Sequence, residues 1–517
     1  MKKQYILGIE LGSTRIKSVL IDETAAVVAQ GSFEWASTLR NGLWTYALEE
    51  VHRGLQASFA DLRADYLEKT GEALCEVAAI GVSAMMHGYL AFNDKDELLV
   101  PFRTWQNTNT ARAARELSEL LQFNMPQRWS VSHFYQAVLD GEPHVKNVAF
   151  LTTLAGYVHY RLTGKRVLGV GDASGMFPIE NGAYNPRMLD LVDEKLREKG
   201  IDKRLGDLLP EILMAGENAG TLTAEGAKFL DPTGNLRAGC VLCPPEGDAG
   251  TGMIATNSVA PRTANVSAGT SAFLMAVLEK ELSRPYEEID VVATPMGAPV
   301  AMIHVNNFTV EINAWAALFA EVIALTGAQM PKGKLFDALF DASAAGDADC
   351  GGLVGYNFLA GEPIAGVPTG APLVMRAPGG QLTLGNFMKM QMYSAVGSLA
   401  LGMKILEKEQ VRLDAVCGHG GFFKAGRVSQ SVMSAAIGAP VTVLENAGEG
   451  GAWGVALLAL MALKGERETA FLDRLFADER RVTVAADARE KNDFAAFLDR
   501  YERSLPAERL AAETIGS

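Results

Sequence analysis

Several short stretches of this chain carry residue types suited to chemistry on a small phosphorylated or hydroxylated ligand. The first is GIELGSTRIKS, residues 8–18. An apolar run meets Glu10, turns through Gly12, Ser13 and Thr14, and leaves as a second apolar-alternating run that includes Lys17. Turn amides and two hydroxyls are donors to phosphate oxygens, and glycine lets a ligand approach the backbone. Lys17 adds positive charge. Glu10, at the end of a strand, is placed to hold Mg²⁺ directly or through water. A plain β-hairpin, whose Ser and Thr satisfy their own turn, fits the same letters. NVSAGTSAF, residues 265–273, is a second hydroxyl-rich turn between apolar runs, with Ser267, Gly269, Thr270 and Ser271.

In EGDAGTG, residues 246–252, Asp248 falls at a strand-to-helix junction. It is either an N-cap or a general base. In MMHGY, residues 85–89, Met86 and His87 follow a buried run, and His87 is either structural or a hydrogen-bond partner of a polyol. In GHGGFFKAG, residues 418–426, Gly418, Gly420 and Gly421 follow a strand that ends at Cys417. Such glycines let a flat ring and a ribose lie against the backbone at a strand end, or simply make a turn. The Gly/Ala face of ENAGEGGAWGVALLAL, residues 445–460, suits a helix packed closely on a sheet or on a nucleotide.

The elements that must position these residues follow from periodicity. Alternation predicts strands at 4–11, 16–22 and 26–31, and helical spacing predicts a long amphipathic helix over 46–70. EVAAIGVSA and YLAFND read as strands, and 101–240 as mostly helical, with a helix at 145–163 ending at Gly164. A strand at LRAGCVLCPP leads to Asp248. Beyond it, strands are expected at 299–306, LDAVCGHGG and 440–444, and helices at 308–326, 386–408, 426–438 and about 449–463. The charged tail, 465–517, reads as a solvated helical cap. A glycine-turned strand pair opens each half. This predicts two α/β domains of related design with a cleft between them.

At 517 residues the chain exceeds what one core supports. A net charge of −14 argues against nucleic acid as the main partner, while loop amides and a metal still bind a small anion locally. The apolar start is broken at once by Glu10 and glycines, so no secretion signal is expected. The apolar runs near 249–256 and 451–463 are too short to span a membrane. Five cysteines suit a reducing cytoplasm, and Cys240 and Cys243 are expected as buried thiols, not a metal site.

Taken in order, these motifs resemble those of the FGGY carbohydrate kinases, members of the actin/Hsp70/hexokinase ATPase superfamily, and are closest in appearance to its xylulokinases. The resemblance runs from about residue 4 to 463. It implies two ribonuclease H-like, actin-type domains with a central cleft, divided as 1–246 and 247–517. It implies ATP-dependent phosphorylation of a small sugar or polyol, a ketopentose such as xylulose first, with ATP and Mg²⁺ as cofactors. The alternatives are ribulose, another ketose or a polyol as acceptor, or a catalytically weak ATPase acting as a sensor. Carried over by position, Asp248 is the general base, and Met86 and His87 contact the sugar. Gly12, Ser13, Thr14 and Lys17 line one phosphate turn, and Gly269 and Thr270 the other. Gly420 and Gly421 lie near adenosine, and Glu10 holds the metal in place of the usual aspartate. Ala249 stands where xylulokinases tend to have an amide. Family members are often dimers, so a homodimer is compatible.

Overall fold

The computed structural model describes residues 3–444 and 450–515. It divides into two compact units that interleave along the chain. The first takes the chain up to Pro261, then Lys280–Val300, then a late segment that ends at Asp478. The second takes Arg262–Glu279, the chain from Ala301 through the Val441–Leu444 strand, and the chain from Glu479 onward. The division expected after Glu246 therefore falls inside the first unit.

The first unit is built on one sheet. Strands Tyr5–Leu11, Arg15–Asp22 and Val27–Glu34 form an antiparallel meander. The parallel strand Ala79–Ala84 flanks Tyr5–Leu11 on its other side, and Val241–Leu242 and Glu246–Gly247 pair with that strand, again in parallel. The parallel strands are apolar almost throughout, as expected where helices cover both faces. The second unit repeats the plan. Thr263–Ala268 pairs antiparallel with Ala272–Val277 and parallel with Ala415–His419, which pairs parallel with Val441–Leu444.

Close helix-on-sheet packing is written in glycine. Gly8 and Gly81 are register partners on adjacent strands. A Cβ on either would run into the backbone of the Gly450–Lys464 helix, at Ala452 O (2.0 Å) and Val455 O (2.4 Å). The small-residue face of that helix therefore packs on the first unit's sheet. Residues 445–449 of the stretch singled out above lie outside the described residues. The same helix crosses the short Asp248–Ala255 helix at Gly454, whose Cβ would meet Thr251 O at 2.1 Å. The long Leu48–Thr70 helix meets Gly31 in the same manner, through Ser58 O and Leu62 N.

Three expectations need correction. The helix expected over 145–163 is confined to Leu154–Thr163, after a 3-10 turn at Pro143–Asn147 and a strand at Phe150–Thr152. Thr153 caps it, its side chain accepting from the Gly156 N–H. The region 101–240 also contains further short strands, so it is not mostly helical in the sense expected. The charged tail is more than a solvated cap. Arg481–Val484 joins the second sheet antiparallel to Val441–Leu444, and the Ala488–Ile515 helix buries Phe494, Phe497, Leu498, Tyr501 and Leu505. Charge density on the solvent face hid an apolar stripe at helical spacing. Among the described residues no helix is long and apolar enough to cross a membrane. All five cysteines are free thiols; Cys243 is buried and Cys240 partly so.

Candidate active site

The first turn is a tight hairpin. The Gly12 N–H donates to Arg15 O at 3.0 Å, so its amide is used within the turn. Aromatic side chains brace it from outside. Trp35 Nε1 donates to Gly12 O (2.7 Å), Tyr46 OH to Ser13 O (2.6 Å) and Trp105 Nε1 to Ser13 Oγ (3.1 Å). With its oxygen already accepting, the Ser13 hydroxyl has its own proton to give. Thr14 is exposed at the tip.

Glu10 and Lys17 sit directly opposite each other across the hairpin, on neighbouring strands. On its other side Glu10 is the register partner of Ser83, whose Oγ is 3.0 Å from Thr251 Oγ1. The Glu10 carboxylate reaches the start of the Gly450–Lys464 helix. A Cβ on Gly451 would fall 2.3 Å from Glu10 Oε1 and 2.8 Å from Thr251 Oγ1. Burial lifts the Glu10 carboxyl to about 7; Lys17 lowers it, Asp248 raises it, and a hydrogen bond with the Ala452 backbone lowers it. A glutamate here spans from the strand to a helix N-terminus, where backbone N–H groups and the helix dipole favour a negative charge.

Asp248 opens the Asp248–Ala255 helix directly after the parallel Glu246–Gly247 strand. Its Oδ1 accepts two backbone N–H groups, from Met86 (3.1 Å) and from Ala249 (2.9 Å). Both bonds converge on one oxygen, so the other is the natural proton acceptor. Burial raises the Asp248 carboxyl to about 6, against the lowering effect of those backbone bonds. Met86 and His87 follow the Ala79–Ala84 strand and are buried. His87 has a left-handed backbone (φ 70), hydrogen-bonds Gly175 O through Nδ1 at 3.2 Å, and stacks on Trp129 with centroids 6.2 Å apart.

The first unit thus brings together Glu10, the 12–17 turn, Met86, His87 and Asp248. Gly269, Thr270, Gly420 and Gly421 belong to the second unit and are assembled there. Gly269 N–H donates to Ser271 O at 2.9 Å, closing the second turn. Phe308 N–H donates to Thr270 O (2.9 Å) and Thr309 Oγ1 to Gly269 O (2.7 Å). Gly420 has φ 106 and lies against the adjoining strand, where a Cβ would meet Ala268 O at 2.4 Å. Gly421 has open space around its Cβ position.

Glu10 and Asp248 offer carboxylate oxygens close enough to influence each other, beside the hydroxyls of Ser83 and Thr251. One or two carboxylates without an all-protein cage are the donor set expected for Mg²⁺, which retains waters and takes phosphate oxygens from its substrate. These residues fit that ion.

Two buried carboxyls beside Asp248 did not stand out in the sequence. Glu246 accepts the N–H groups of Gly171 (3.2 Å) and Asp172 (2.8 Å) through its two oxygens. Asp172 accepts from Thr153 Oγ1 at 2.6 Å. Burial lifts Glu246 to about 8 and Asp172 to about 7. A signal was present: Gly-Asp-Ala occurs both at 171–173 and at 247–249.

A duplicated sheet of this topology, with a glycine-turned hairpin in each copy and a carboxylate at a strand-to-helix junction, defines the ATPase fold of actin, Hsp70 and hexokinase. Residues 5–233 match the N-terminal domain, and residues 264–463 the C-terminal domain, of the FGGY family of carbohydrate kinases, and the chain belongs to that family. It is 23% identical over 448 residues to xylulose kinase from Haemophilus influenzae, covering 83% of this chain and 84% of that protein. It is 24% identical over 251 residues to xylulose kinase from Lactococcus lactis, an alignment that spans 45% of this chain and 46% of that protein. Two solved structures from Lactobacillus acidophilus share the fold at 17% identity, each covering 99% of this chain and 100% of theirs. They are a ligand-bound xylulose kinase (TM-score 0.81) and a gluconate kinase (TM-score 0.80).

Proposed function

We propose that this carbohydrate kinase transfers the terminal phosphoryl group of ATP to a hydroxyl of a ketopentose such as xylulose, with Asp248 as the general base. The observation that carries this reading is the seat of Asp248. Two backbone N–H groups fix one carboxylate oxygen, and one of them comes from Met86, next to His87. The base is therefore held rigidly beside the residues proposed to bind the sugar. Its carboxyl, raised to about 6, is still mainly ionised at neutral pH and has more proton affinity than an ordinary aspartate.

Phosphoryl transfer depends on alignment and charge neutralisation more than on covalent help. In this reading Glu10 holds Mg²⁺, which supplies charge neutralisation at the phosphates. Lys17 and the Ser13 and Thr14 hydroxyls face the phosphate chain from the first turn. Gly269 and Thr270 serve it from the second, and Gly420 and Gly421 lie along the adenosine. The xylulose kinase relatives favour a ketopentose. Ala249 and the gluconate kinase of the same fold favour a second reading, in which the acceptor is another small polyhydroxy compound.

A coupled ADP-release assay over ketoses, aldoses, polyols and aldonates tests the reading. Sugar-dependent release, strongest with xylulose or ribulose, is the expected result. ATP hydrolysis indifferent to every acceptor would overturn it.

A further inference from the structure

Asp172 is the buried carboxyl that the proposed chemistry leaves unused. It lies in the short Val170–Ala173 helix and is 1% exposed. Its Oδ2 is held by Thr153 Oγ1 at 2.6 Å, and its backbone N–H is held by Glu246 Oε2 at 2.8 Å. The residue is therefore held through its backbone and one carboxylate oxygen. Its Oδ1 is buried and has no hydrogen-bond partner among the described residues. A buried carboxylate oxygen without a donor is costly, and persists where a ligand, a proton or water satisfies it.

The position of Oδ1 indicates which. An ideal Cβ on Gly247 would lie 3.2 Å from Asp172 Oδ1 and 2.8 Å from Met86 Cγ. An ideal Cβ on Gly175 would lie 2.7 Å from Met86 Cε and 2.6 Å from His87 Nδ1. Asp172 and Met86 thus pack on Gly247, the residue before Asp248, and Met86 and His87 pack on Gly175. Met86, which packs on the same glycine as Asp172, is unbranched and moves readily between rotamers. Among the described residues no cation pairs with Asp172, so the group suits the O–H of a neutral ligand better than an anion.

We propose that Asp172 Oδ1 accepts a hydrogen bond from a second hydroxyl of the acceptor sugar, distinct from the hydroxyl that Asp248 deprotonates. Asp248 and Asp172 then read two different hydroxyls, and Asp172 sets which neutral sugar is held in register with the base. This rests on the proposed sugar-kinase reading and adds a specificity-determining residue to it.

The test is sugar binding by calorimetry without nucleotide, with the intact chain and whichever ketose, aldose or polyol it binds most tightly. Asp172→Ala is expected to weaken binding by about ten- to hundredfold, the scale of a hydrogen bond to a charged group, with Asp172→Asn intermediate. The KM for ATP should stay within about twofold on the same scale of effects. Among single-deoxy versions of the acceptor, one should bind wild type as weakly as the parent binds Asp172→Ala, and lose nothing further in the variant. If Asp172→Ala fails to fold by thermal melting, Asp172→Asn with the deoxy series decides the matter. A folded variant that binds the parent sugar like wild type overturns the proposal, as does an equal response of every deoxy sugar to the substitution. Sugar binding without any sugar-dependent ADP release would overturn the kinase reading while leaving Asp172 open to the same binding test.

Discussion

The two hairpin turns share a topology and differ in chemistry. Each joins two antiparallel strands, each closes with a glycine N–H bonded within the turn, and each has a parallel strand beside it. The first carries a carboxylate and an ammonium on directly opposed positions, Glu10 and Lys17. At the corresponding place the second carries Ser267 opposite Phe273. The first is braced by three aromatic hydrogen-bond donors, the second by Phe308 and Thr309. In the proposed reading one turn serves metal and charge, while the other serves through backbone and hydroxyl. The repeated topology gives two similar hairpins, and side chains at a few positions set their chemistry apart.

That division orders the effects of substitution. Glu10→Ala should lower kcat by about 10²–10³, the range for losing one fixed electrostatic partner, and raise the Mg²⁺ concentration needed for half-maximal rate. Glu10→Asp withdraws the carboxylate from the helix start. A displacement of about 1 Å costs on the order of 10²-fold, with rate and Mg²⁺ dependence moving together. A rate loss with unchanged Mg²⁺ dependence would reduce Glu10 to a helix cap. Gly451→Ala places a methyl group 2.3 Å from Glu10 Oε1 and should give a smaller loss of the same kind, accompanied by a lower Tm. In the second turn, Thr270→Ala should raise the KM for ATP by less than about tenfold, about one neutral hydrogen bond, and leave Mg²⁺ dependence alone. Equal losses at both turns would erase the proposed division.

The smallest effect concerns pH and stability. Glu246 and Asp172 are raised from 4.5 and 3.8 to about 8 and about 7. The folded chain therefore binds more protons than the unfolded chain between those limits. The stability they contribute is complete below about pH 4 and is lost as pH rises through about 8. Wild-type Tm should fall between pH 5 and pH 8, and Glu246→Gln should fall less, by about 2–4 °C, in parallel calorimetric scans.

Both turns were legible in the sequence because a hairpin is local: apolar alternation, a Gly-Ser-Thr or Gly-Thr-Ser corner, and alternation again. Asp248 was legible from the glycines around a strand-to-helix junction. The seat of Glu10 was not, because its partners Gly451 and Ala452 lie more than 400 residues away, on a helix that returns to the first sheet across Gly8 and Gly81. Asp172 was hidden for a related reason. Its chemistry depends on Thr153 and Glu246, which only the folded chain brings to it. The tail strand Arg481–Val484 is flanked by charges, and its pairing with Val441–Leu444 is the long-range contact that turns a solvated segment into a sheet edge.

The central claim is that Asp248 takes the proton from the acceptor hydroxyl. Rapid-quench measurement of phosphorylated sugar in a single turnover tests it most directly, with wild type and Asp248→Asn both saturated in ATP, Mg²⁺ and sugar. The account predicts a loss of about 10²–10⁴ in the rate of transfer. It also predicts a wild-type rate that climbs with pH through about 6 as the carboxylate forms, and a variant rate that does not. Transfer at near wild-type speed by folded Asp248→Asn would contradict it.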